Sequence, residues 1–341
     1  GDLNLSTASS YVRFINGASF TGANATFANN AHLRWQQTGT LAGKTITMGS
    51  GAYIYLEGAN RSLTLDATTT VTGDVSIYSD GSAGTTITNQ GVLTHNINTT
   101  GYLYAESLSN QGTLNVSTGT LYFGYYGDDT TTNAASGVIN LTGGNLYVNS
   151  PMTNAGQLKL MAGVLYTNNN LTNAIGGFIG GAGTINGDLA LAGGTLAPGN
   201  SIGTLTFQAG SDFVVSGAST FEVELDATNA DKIVFQNPGA VNLGSGLLQL
   251  SLNLLSAPTP NASYTLMEIT SGGSGISGYL AGMPVSGTGI TAYFAGNPYD
   301  FHVTYLTNQL LIHAVPEPGT YALMGAGLAA LALLRRRRKV S

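Results

Sequence analysis

The sequence predicts an all-β chain: a parallel β-helix, or solenoid, with coils of about 20 residues, a C-terminal β cap and then a single short transmembrane helix. Three observations carry the expectation. A short unit recurs, Thr88-Asn89-Gln90-Gly91-Val92-Leu93 returning as Ser109-Asn110-Gln111-Gly112-Thr113-Leu114 and as Thr153-Asn154-Ala155-Gly156-Gln157-Leu158. Apolar and polar residues alternate over short runs bounded by Gly, Asn or Asp, the pattern of a half-buried strand. The composition suits strands and turns, with 48 glycines, 43% hydrophobic residues, only 8% charged residues and no cysteine. Such a chain must be held by repetition and core packing, without disulfides.

Residues 1 to 85 read as short strands with irregular spacing, among them Tyr11-Val-Arg-Phe-Ile15, Ala52-Tyr-Ile-Tyr-Leu56 and Asp74-Val-Ser-Ile-Tyr78. The chain begins at Gly1 with no Met and no charged, apolar leader, and Gly1-Asp2-Leu3-Asn4-Leu5 reads as mid-strand. The expectation is a chain whose leader or first residues are missing. Trp35, the one tryptophan, is expected in core or end-cap packing, with sugar stacking as the alternative.

From about residue 86 the repeat takes over. Its glycines fall at 91, 112, 137, 156 and 176, and Ser136-Gly137-Val138-Ile139 fills the same slot with Ala135 where the other units carry asparagine. One unit cannot bury its apolar face alone, whereas units stacked about 4.8 Å apart can. Leu93, Leu114, Ile139 and Leu158 are expected to form one inward row, and Leu121, Leu146 and Leu165 another. Asn89, Asn110 and Asn154 would stack at a corner and satisfy turn backbone groups. Tyr122, Tyr147 and Tyr166 align one residue after the second leucine row. Facing out, they form an aromatic stripe suited to sugar rings or a partner; packed on neighbours, they are structural.

Gly194-Thr-Leu-Ala-Pro-Gly-Asn-Ser-Ile-Gly-Thr-Leu-Thr-Phe207, followed by Phe221-Glu-Val-Glu-Leu225 and Asp231-Lys-Ile-Val234, resembles the passenger-associated repeat of autotransporter β-helices. From about 250 the short period fades into longer strands, which would cap the last coil and keep its edge from pairing with other chains. The expected organisation is solenoid repeats over 1–200, last coils and cap over 201–313, and a tail over 314–341.

That tail has three parts. Pro316-Glu317-Pro318 is held extended, because proline fixes its own φ and pushes the preceding residue out of the helical region. Thr320 to Leu334 carries no charge, and from Gly319 it would make about 24 Å of helix, short for a hydrocarbon core of about 30 Å. Arg335, Arg336, Arg337, Arg338 and Lys339 then form a stop-transfer cluster that stays cytoplasmic by the positive-inside rule. The order of parts resembles the PEP-CTERM sorting domain of Gram-negative bacteria. The resemblance implies export, transient anchoring in the inner membrane through residues 319–334, and cleavage near Pro316-Glu317-Pro318 by an exosortase, in bacteria that make extracellular polysaccharide. Delivery to the cell surface or outside follows from it.

The net charge is −6. Without Arg335 to Lys339 and Glu317 the chain keeps 16 acidic and 6 basic residues, an acidic surface unsuited to nucleic acid. Reactive motifs are scarce. Gly199-Asn200-Ser201-Ile202-Gly203 spells a nucleophile elbow, but proline precedes it and a strand, where the motif needs a helix, follows. His32, His95, His302 and His313 lack ligand spacing, so neither a metal nor a cofactor is expected. Asp128-Asp129 is the best candidate for a weak cation site or for loop-tip solvation. Glu222 and Glu224 lie on one face of one strand, too local to flank a glycosidic bond.

Three readings compete. The first is a non-enzymatic structural β-helix of the cell surface or biofilm matrix. The second is an adhesin or glycan-binding module whose contacts are Tyr122, Tyr147 and Tyr166. The third, a polysaccharide-active enzyme, requires carboxylates converging in a groove.

Overall fold

The computed structural model describes residues 1–124 and 130–315. Among them the chain is all β, a three-sided parallel solenoid in which each coil lays one strand on each of three stacks. The coil made by Val92–His95, Thr100–Tyr104 and Ser107–Asn110 shows the plan. Each strand pairs in parallel with its counterparts one coil below and one coil above. The first stack is a 12-stranded sheet from Leu3–Leu5 to Leu248–Leu254. The second begins at Tyr11–Phe14 and the third at Thr38–Leu41. Val164–Ala174 and Thr184–Ala192 run through a corner and belong to both of the latter stacks.

Alternation decides which side chains enter the core. Leu93, Leu114, Ile139 and Leu158 face each other in register and are fully buried, and so are Leu121, Leu146 and Leu165. Each such side chain contributes roughly 1.5–3 kcal/mol of burial, but only because the next coil covers it.

The coils run from the first strand, within the expected span of 1–200, and not only from residue 86 where the repeat becomes regular. Leu3–Leu5, Asn24–Phe27, Thr45–Met48 and Thr70–Gly73 pair in unbroken parallel register below Val92–His95. Residues 1 to 85, irregular in the sequence, are turns of the same solenoid. Their period is hidden because the corner marker changes: Leu41 and Leu65 occupy the column that Asn89 and Asn110 occupy later.

Two further details of the repeat are corrected. Asn133, not Ala135, holds the asparagine slot, pairing with Asn110 and Asn154, and the turn after it is two residues longer. Gly177, not Gly176, is the slot's glycine, since Gln157 pairs with Phe178. The slot demands glycine because the coils approach there. A Cβ at Gly156 would run into the carbonyls of Ala134 and Gly137, and one at Gly177 into that of Asn154.

The corner column is a ladder of buried amides. Nδ2 of Asn89 donates to Oδ1 of Asn110 (2.7 Å), Asn110 to Asn133 (2.8 Å), Asn133 to Asn154 (2.7 Å) and Asn154 to Asn173 (2.8 Å). The same Nδ2 groups also reach turn carbonyls, as Asn133 does to Gln157 (3.1 Å) and Asn173 to Thr195 (2.9 Å). Buried polar groups are tolerated when paired in this way.

The far end changes direction. Ser263–Ser271 continues the parallel stack against Lys232–Gln236 and also pairs antiparallel with Gln309–Ala314. Asn297–Leu306 and Gly289–Phe294 extend that antiparallel sheet. The Tyr305 hydroxyl ties it down, donating to the carbonyl of Met283 (2.7 Å) and accepting from the amide of Leu280 (3.0 Å). The expected helix from Thr320 to Leu334 lies outside the described residues. Among those described, no helix is long and apolar enough to cross a membrane.

Candidate functional site

Alternation that turns leucine inward on the second stack turns tyrosine outward. Tyr122, Tyr147 and Tyr166 stand in register on consecutive coils, half-buried, each beside a fully buried leucine. They are the upper part of a longer ladder. Below them the outward positions hold Tyr11, His32 and Tyr53, then Tyr55 and Tyr78, then Tyr102 and Tyr104. Centroid separations are 5.2 Å for Tyr11–His32, 4.5 Å for His32–Tyr53, 5.4 Å for Tyr53–Tyr78 and 6.2 Å for Tyr78–Tyr102. They continue at 5.3 Å to Tyr122, 5.0 Å to Tyr147 and 4.1 Å to Tyr166. The signal for the seven further rings is in the sequence, as aromatics 19 to 26 residues apart. It goes unread until the first coils are recognised as coils.

How the rings lie determines what they offer. Tyr102 and Tyr122 are 8° from parallel, and Tyr147 and Tyr166 are 6° from parallel. Tyr122 and Tyr147 therefore have aromatic neighbours on both sides along the solenoid axis. Stacking of this kind adds about 0.5–1.5 kcal/mol per pair beyond burial. Burial, first, pushes the Tyr78 phenol well above its ordinary range, with Tyr53 and Tyr55 adding to the shift. Burial also raises Tyr55 and Tyr147, so these phenols stay neutral. His32, between Tyr11 and Tyr53, is held below its ordinary pKa chiefly by burial, with the Arg34 charge adding to it. Beyond Tyr166 the column turns polar, Asn186 donating to Gln208 (2.6 Å).

Trp35 is buried at 1% exposure, tilted against Phe14, its indole N–H on the carbonyl of Ser62 (2.8 Å). It is a core residue, and no sugar can stack on it.

Gly199 to Gly203 forms the turn between strands Thr195–Pro198 and Thr204–Phe207. Asp231 braces that turn, accepting from the amides of Gly203 and Glu224, both at 2.8 Å. Burial pushes its carboxyl up to about 6 in spite of those two donors. Glu222 and Glu224 flank the same place, and with Asp231, Asn200, Ser201 and Asn253 they line a groove of about 730 Å³. The sequence placed the two glutamates on one strand face but did not bring Asp231 to them. Glu224 accepts from Asn253 (3.1 Å).

His95 is fully buried, Nδ1 accepting from the amide of Val75 (3.3 Å) and Nε2 facing the carbonyl of Thr99 (3.3 Å). Among the described residues no group of three His, Asp or Glu side chains could hold a metal ion. Asp128 and Asp129 lie outside the described residues, as do Pro316, Glu317, Pro318 and the cluster from Arg335 to Lys339.

Residues 314–338 match the PEP-CTERM protein-sorting motif. The chain is a PEP-CTERM protein with a β-helix cargo. No curated protein matches the sequence. The motif begins at Ala314, the end of the last strand of the antiparallel sheet, so it directly follows the sheet at the far end of the solenoid. The PEP-CTERM motif marks an exported protein sorted by an exosortase.

Proposed function

We propose that this PEP-CTERM protein is a non-enzymatic structural β-helix of the cell surface or extracellular matrix, associated with exopolysaccharide in a biofilm. The sorting motif at 314–338 carries the reading. In this account residues 319–334 anchor the chain transiently in the inner membrane, Arg335 to Lys339 stop transfer, and the exosortase cuts near Pro316-Glu317-Pro318. The acidic remainder, 16 acidic against 6 basic residues, gives no electrostatic footprint for nucleic acid. The test is the mass of the mature C-terminus in exported material from an exosortase-bearing host. A terminus near Pro316 supports the reading, and an intact Ser341 on exported protein overturns it.

A second reading, glycan contact, is favoured by the tyrosine ladder. With the faces of Tyr122 and Tyr147 turned to neighbouring rings, a glycan would meet ring edges and phenol hydroxyls along the column. Tyr166, next to Asn186, is where a sugar ring could stack. Replacing Tyr122, Tyr147 and Tyr166 with alanine is expected to abolish retention on the host polysaccharide, and unchanged retention refutes it.

Against a polysaccharide-active enzyme stands the groove's own chemistry. Asp231 is engaged in bracing a turn, and Glu222 and Glu224 are two residues apart on one strand. Glycan cleavage that disappears in Glu224→Gln would reverse this ranking.

A further inference from the structure

The third stack carries an outward pattern that neither the sorting signal nor the tyrosine ladder uses. Five consecutive strands each present two hydroxyls, two residues apart: Thr38 and Thr40, Ser62 and Thr64, Thr86 and Thr88, Ser107 and Ser109, Thr130 and Thr132. The strand pairings hold these in two straight ranks. Thr38 faces Ser62, then Thr86, Ser107 and Thr130; Thr40 faces Thr64, then Thr88, Ser109 and Thr132, with no bulge anywhere in the run. Neighbouring ranks of strands stand about 4.8 Å apart, and side chains two residues apart on a strand are separated by about 6.6–6.8 Å. The result is a rectangular net of ten hydroxyls.

Three properties make this net a recognition surface. Its bonding capacity is largely unspent: among the described residues, only the hydroxyls of Thr38 and Thr132 of these ten donate, to the carbonyls of Asn60 (3.4 Å) and Leu108 (3.3 Å). None of its ten side chains carries a charge. It is also pre-ordered. Threonine is stiff at χ1, and the inward side of the last three of these strands holds Asn89, Asn110 and Asn133, whose amide ladder ties those coils together. The first stack offers no such net. There Thr45 and Thr47, then Thr70 and Thr72, are followed by Val92, and Asn115 donates to Thr94 (3.2 Å).

A ligand that uses this surface must itself be periodic in two directions, uncharged, and able to donate and accept at every node. Crystalline water satisfies all three. The two spacings lie close to the oxygen–oxygen repeats of the prism face of hexagonal ice. We propose that the third face binds ice, holding a lattice-matched layer of water through the ranks Thr38 to Thr130 and Thr40 to Thr132.

The test is ice growth in a solution of the purified full chain, read as the gap between melting and freezing points and as crystal shape under a microscope. Faceted crystals and a measurable gap are expected. Thr88→Tyr, which raises a bulky ring in the middle of the net, is expected to lower the gap to that of buffer. Thr47→Tyr, on the first stack, is expected to retain it. Circular dichroism establishes that each variant is folded, and Thr64→Lys replaces Thr88→Tyr if that chain does not fold. Unfaceted growth at the melting point by the folded wild-type chain overturns the proposal. So does an equal loss in Thr47→Tyr, or retention in the central variant.

Discussion

Cutting the asparagine ladder at its middle tests the account of how the coils are held. Asn133→Ala removes the bond from Asn110 Nδ2 (2.8 Å), the bond to Asn154 Oδ1 (2.7 Å) and the bond to the Gln157 carbonyl (3.1 Å). Asn110 Nδ2 keeps the carbonyls of Gly112 and Val138. Asn154 Oδ1 loses the ladder donor it has in a fully buried site. A buried acceptor stripped of its partner costs about 1–3 kcal/mol, and each lost net bond about 1 kcal/mol. The expected loss is therefore about 3–5 kcal/mol. Asn173→Ala, at the top, strips no amide oxygen, because the ladder donates upward, and Asn154 Nδ2 keeps the Phe178 carbonyl (3.1 Å). Its expected cost is about 1–2 kcal/mol. Urea denaturation followed by circular dichroism gives the comparison, supported by hydrogen exchange, since stacked repeats open locally. Equal costs for the two variants, or less than about 1 kcal/mol for Asn133→Ala, would refute the direction and the worth of the ladder.

Gly156→Ala should destabilise the solenoid more than Gly210→Ala does, because its Cβ meets two carbonyls whereas Gly210 has open space at a positive φ of 84°; thermal melts of both rank them. Trp35→Ala should cost about 3–5 kcal/mol as a large core deletion, read from the same denaturation curves. His95 has a pKa lowered first by burial, so its contribution to stability is present above the unfolded pKa near 6.5 and is lost as pH falls below it. Melting points between pH 7.5 and 5.5 should decline in the wild type and decline less in His95→Gln. Asp231 works in the opposite direction, since a carboxyl raised to about 6 stabilises progressively as pH falls from about 6 towards 4; nuclear magnetic resonance titration of that carboxyl checks it.

The parts of this protein that depend on one residue type at one spacing are legible in its sequence. The sorting motif is linear chemistry: a proline step, a charge-free run and a basic cluster need no fold to be read. The leucine rows are legible for the same reason, because a period of two within strands and about 20 between coils follows from pleat and stacking. Tertiary structure decided everything that depends on which coil lies above which. Leu41 and Leu65 sit in the asparagine column, so no local marker sets the register of the coils in the first 85 residues. Asn133 rather than Ala135 continues the ladder because an inserted turn is absorbed at the corner while strand register is conserved by hydrogen bonding. Asp231 reaches the Gly203 amide across 28 residues, a neighbour that loop geometry alone produces. The tyrosines show the boundary most clearly. Alternation turns them outward, but only stacking of the coils turns ring onto ring, so the sequence determined the side of the sheet and the tertiary structure decided which ring each one stacks on.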